Sequence, residues 1–152
     1  MIISTKHLPR DLRLIGIFAF IFALLQFGGV IDGTRIYIAS FIIYLSSGII
    51  YFSLATGASR NENWAWLSGL VIFIWSIVSG LISILLKWIS PFSLVIALLI
   101  PVLFLITFIQ AKKEIAINSK ISLLPFTFLI IGLIMNIISN GYVFYLVTHL
   151  LY

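Results

Sequence analysis

The side chains able to do chemistry are few in this chain. There are two histidines (His7 and His149), four carboxylates (Asp11, Asp32, Glu62 and Glu114) and no cysteine. Without cysteine there is no disulfide framework, thiolate metal site or thiol nucleophile. The two histidines lie near opposite termini, and the topology derived below puts them on opposite faces of a membrane. They therefore cannot jointly hold a haem or a metal within one subunit. No Ser-His-acid set, P-loop or glycine-rich phosphate motif occurs. The Gly28-Gly29 and Asp32-Gly33 pairs read as a helix end and a turn. The expectation is a non-enzyme with no cofactor and no metal.

What remains is a set of mildly polar residues inside apolar stretches. Ser76, Ser79, Gly80 and Ser83 recur at 3-4 spacing, extended upstream by Ser68 and Gly69. Gln26 and Asn136 are the most polar side chains in such stretches. Small and hydroxylated residues let helix backbones approach closely where lipid gives no hydrophobic drive for association. The same stripe could instead line a path for a small neutral solute. Packing is the simpler reading, because serine hydroxyls readily bond the carbonyl one turn back. No Asp, Glu, Lys or Arg falls mid-stretch, where a proton-coupled carrier would place one.

The elements holding these residues follow from composition. Hydrophobic residues make up 62% of the 152 and charged residues only 9%, with a mean hydropathy of +1.26. A soluble domain carries about 25% charged residues. Charges punctuate the chain: 18 uncharged residues separate Arg13 from Asp32, and 24 separate each of the pairs Arg35/Arg60, Glu62/Lys87 and Lys87/Lys112. Another 32 follow Lys120. About 20 apolar residues cross a bilayer core of about 30 Å. The fold class expected is therefore an all-α integral membrane protein, a compact single-domain bundle of five transmembrane helices near 12–31, 36–57, 63–86, 91–111 and 122–147. The alternative is four spans with an interfacial or re-entrant C-terminal segment, since Asn140-Gly141 could stop the last helix. The 18 apolar residues after Arg13 exceed a signal-peptide core, and no small-residue cleavage pattern follows them.

Five crossings would gather Lys6, Arg10, Arg13, Arg60, Lys112, Lys113 and Lys120 on one side and leave Arg35 and Lys87 on the other. That asymmetry predicts a cytoplasmic N-terminus and an outer C-terminus in a cell membrane. It also accounts for the net charge of +5 without nucleic acid. Anionic headgroups or an acidic partner subunit are the partners such a basic face could attract. Trp64 and Trp66 at one boundary and Trp88 at the other read as interface anchors; Trp66 to Trp88 spans about 33 Å of helix.

Local signals refine the boundaries. Pro9 and Asp11 suit a first helical turn. Ser59 and Glu62 have the spacing of a capping box. Ser90-Pro91 opens a helix, and Pro101 within it predicts a kink. A shift of 53 residues aligns Leu14, Gly16, Phe20 and Ile21 with Leu67, Gly69, Phe73 and Ile74. It also aligns Ile36, Ser40 and Ile43 with Ile89, Ser93 and Ile96, which suggests two repeated hairpins plus one extra helix.

The functional expectation is a non-catalytic accessory or structural subunit of a larger membrane complex, respiratory or transport assemblies among them. The alternatives are a small oligomeric channel or facilitator for a neutral solute, and a lipid-binding membrane organiser.

Overall fold

The computed structural model describes residues 7–31, 35–85, 91–112 and 119–150. They form five α-helices in chain order: α1 (Leu8–Ile31), α2 (Arg35–Ser59), α3 (Asn63–Leu85), α4 (Pro91–Gln110) and α5 (Leu123–Leu150). Three helical stretches are long and apolar enough to cross a membrane: Ile38–Ser59, Asn63–Leu81 and Leu123–Leu146. Leu98–Gln110 is a shorter apolar helix.

Several boundaries differ from expectation. α1 begins at Leu8, ahead of the span expected from about 12 and with Pro9 and Asp11 in its first turn as their types suggest, and Leu8 and Leu12 are both fully buried one turn apart. Pro9 is thus already helical, in the first turn where its missing N–H costs no bond. α5 runs unbroken through Asn140 and Gly141, so that pair is not a stop. α4 is continuous through Pro101, where the sequence predicts a kink.

The turn after α2 is built differently from the expected capping box. Ser59 is the last residue of α2, not the cap of α3. Asn61 takes φ 57°, the left-handed conformation that asparagine tolerates better than most side chains. Its N–H donates to the Ala58 carbonyl at 3.1 Å, and the Glu62 N–H donates to the Gly57 carbonyl at 3.0 Å. These paired bonds are a Schellman ending for α2. The Ala65 N–H then donates to the Glu62 carbonyl at 3.1 Å, opening α3.

The chain divides into two units, one of Met1–Pro9 with Gly57–Ile121 and the other of Arg10–Thr56 with Ser122–Tyr152. In the first, α3 packs against α4. Phe73 stacks on Phe104 with ring centroids 5.3 Å apart and tilts against Phe108 at 5.5 Å. Gly69 lies directly beneath the Phe108 ring. In the second unit, α1 and α2 run antiparallel, with Phe20 against Phe52 at 5.5 Å, Phe22 against Tyr44 at 5.6 Å and Phe27 against Phe41 at 5.9 Å. Here Gly16 lies beneath the Phe52 ring.

The 53-residue offset thus has a structural counterpart within each unit. Gly16 and Phe20 on α1 receive a phenylalanine from α2, and the aligned Gly69 and Phe73 on α3 receive one from α4. Both hairpins place a glycine under a ring and the phenylalanine one turn on against that ring's side. Aromatic pairs of this kind add about 0.5–1.5 kcal/mol beyond area burial. The second halves of the aligned segments, at Ile89, Ser93 and Ile96, lie outside the residues whose side chains are described.

Candidate functional site

Polar side chains gather in two places, one in each unit. The first is a seam between α2 and α5. Ser46 and Ser47 both donate their hydroxyl protons to the Ile43 carbonyl, at 2.9 and 2.8 Å. Their oxygens keep lone pairs, and the Asn136 amide on α5 donates to them at 3.1 and 3.4 Å. The Asn140 amide in turn donates to the Asn136 side-chain oxygen at 2.9 Å and to its backbone carbonyl at 2.8 Å. One directed chain of hydrogen bonds therefore runs from Asn140 through Asn136 to the serines. Gly132, one turn before Asn136, lets α5 approach α2: a Cβ there would meet Ile50 Cγ1 at 2.9 Å and the Ser46 carbonyl at 3.2 Å.

Asn136 is thus an interhelical hydrogen-bonding residue, with Ser46 and Ser47 as partners. Its place was visible in sequence, and so was the small-residue face of the second helix; their register was not. Asn136→Leu is expected to cost about 1 kcal/mol in a membrane-mimetic unfolding titration, because such bonds average below that in membranes and reach about 2 at most. The loss stays modest because both serine hydroxyls keep Ile43 as acceptor. A cost above about 3 kcal/mol would mean the asparagine holds more than this seam.

The second place is the end of the first unit where α3 starts and α4 stops. Glu62 is buried at 1% exposure, and its carboxylate accepts the indole N–H of Trp64. Trp64 is itself buried, with its ring across Gly57. Trp66 is half-buried and donates its indole N–H to the Phe108 carbonyl at 2.6 Å. That carbonyl is one of the last four of α4, which have no partner within the helix. The indole therefore caps α4. Lys112, just past the helix end, holds its ammonium 5.2 Å from the Trp66 ring centroid.

The polar edges of Trp64 and Trp66 are engaged by the chain itself. Trp88 lies outside the described residues. Trp66 was legible in sequence only as a boundary residue; nothing in the spacing specified which carbonyl it would reach.

The serine stripe of α3 is half-buried at Ser76, Ser79 and Gly80. The Ser76 hydroxyl donates to the Ile72 carbonyl at 2.8 Å, and that of Ser79 to the Ser76 carbonyl at 3.1 Å. Of Ser83 only the backbone is described, within α3. Gln26 is half-buried on α1. Among the described residues, no buried side-chain nitrogen or oxygen lacks a partner, and no three His, Cys, Asp or Glu residues come together as metal ligands.

No family model matches this chain, and neither a curated protein nor a solved structure shows detectable similarity to it.

Proposed function

We propose that this chain is a multi-pass integral membrane protein whose five helices all cross the bilayer, with a cytoplasmic N-terminus, and that it serves as a non-catalytic accessory or structural subunit of a larger membrane complex. The observation that carries the reading is where its polarity lies. Bulky apolar side chains cover the outward faces: Leu24 is 70% exposed, Trp75 63% and Ile138 66%, with Phe18, Val71 and Ile137 similarly placed. Soluble monomers rarely expose contiguous apolar patches beyond a few hundred Å². Polar groups of the spans bond within the chain, at the α2–α5 seam and, through Ser76 and Ser79, along α3 itself.

That disposition supports packing over transport. A solute path would need polar atoms directed into a shared space, whereas the Ser76 and Ser79 hydroxyls of α3 donate to their own helix. The chain is expected to leave its native membrane in mild detergent together with the same partner chains at fixed stoichiometry, as read by native mass spectrometry. Recovery as a stable, partner-free monomer would overturn the subunit role.

A further inference from the structure

We propose that the Trp66–Lys112 end of the α3/α4 hairpin binds the phosphate of an anionic glycerophospholipid headgroup. The inference rests on the membrane reading and names a ligand site within it. Lys112 is exposed, and its ammonium meets no carboxylate among the described residues. It is nevertheless held in place. The indole beneath it is fixed by the Trp66 bond to the Phe108 carbonyl, and the ring attracts the cation at 5.2 Å. The negative end of the α4 dipole lies at the same point and favours a cation there.

A cation over a ring keeps N–H donors directed away from the ring, ready for an oxyanion. The acid nearest in sequence to this tryptophan does not compete, because Glu62 is buried and turned to Trp64. Apolar helix leads away from this end along both α3 and α4, so the ammonium sits where a bilayer places its phosphates. A zwitterionic headgroup offers the same phosphate with a compensating cation; a net negative headgroup therefore binds better.

The test uses the full chain, reconstituted into vesicles of phosphatidylcholine with or without phosphatidylglycerol and then extracted gently for native mass spectrometry. Phosphatidylglycerol should be retained in preference to phosphatidylcholine. K112Q should reduce that retention about fivefold, the factor expected for one cation near an anionic surface. K120Q removes the same charge at another exposed lysine and should change retention less. W66F, which lacks the N–H that fixes the ring, should fall between wild type and K112Q. Equal losses in K112Q and K120Q, or equal retention of the two lipids, would overturn the site. Displacement of the lipid by inorganic phosphate at matched concentration would show a simple anion site and overturn the lipid assignment. If the chain entered neither kind of vesicle, the membrane reading would fail instead.

Discussion

Gly69→Ala is expected to destabilise the α3/α4 hairpin by about 3 kcal/mol, the upper end of what overpacking a well-filled interior costs. The added methyl would lie 2.6 Å from Cζ and 2.7 Å from Cδ1 of Phe108, with Cε1 nearer still. Relief requires the ring or the backbone beneath it to move, and both are constrained. Phe108 is fully buried, and Phe73, also fully buried, tilts against it at 5.5 Å. Phe73 is in turn stacked on Phe104 at an interplanar angle of 17°. The Phe108 carbonyl is bonded by the Trp66 indole. Ring, neighbour and backbone are thus each held by a different contact.

The three nearest atoms to the new methyl all belong to Phe108, which makes the prediction specific. Phe108→Ala alone should cost about 3–5 kcal/mol through the cavity it leaves. In the Gly69→Ala/Phe108→Ala double variant the added methyl occupies part of that cavity, so the combined loss should fall short of the sum by at least about 1 kcal/mol. Unfolding titrations of all four proteins in mixed micelles measure this directly. Additive losses would show that Gly69 matters for some reason other than the Phe108 ring.

The same residues show what could be read in the sequence. Gly69 and Phe73 stood out through their alignment with Gly16 and Phe20, and each pair forms a hairpin contact of the same kind. The alignment carried no information about the receiving helix: Phe52 is 36 residues beyond Gly16, while Phe108 is 39 beyond Gly69. Helix positions were legible because runs without charge are a strong, one-dimensional signal. Interhelical partners depend on rotation of each helix about its axis, and hydrophobicity on every face erases the periodicity that would report it. Asn136 could therefore be identified as a hydrogen-bonding residue without Ser46 and Ser47 being identified as its partners. Ser59 and Glu62 illustrate the opposite failure. Their spacing matched a capping box, but Asn61 adopts the left-handed conformation and ends α2 first, leaving Glu62 as the residue that opens α3.

That corner supplies the second large effect, and it should resist the kind of rescue available at Gly69. Gly57→Ala would place a methyl 2.5 Å from Trp64 Cζ2 and 2.6 Å from the Ala65 Cβ. The indole is pinned by its bond to the buried Glu62 carboxylate, and Ala65 is fully buried in the first turn of α3. Trp64→Leu could remove the first obstruction but not the second, since the Ala65 Cβ moves only with the helix backbone. Moving that backbone strains the Schellman turn, because the Gly57 carbonyl itself accepts the N–H groups of Arg60 and Glu62 at 3.1 and 3.0 Å. The expected cost of Gly57→Ala is about 3 kcal/mol, and the Gly57→Ala/Trp64→Leu double variant should be no more stable than Gly57→Ala alone. Recovery of most of the loss in that double variant would locate the constraint in the indole rather than in the backbone approach of α2 to α3. If the backbone is the constraint, adding Ala65→Gly to that double variant should restore stability, since it removes the one carbon that no side-chain rotation can withdraw.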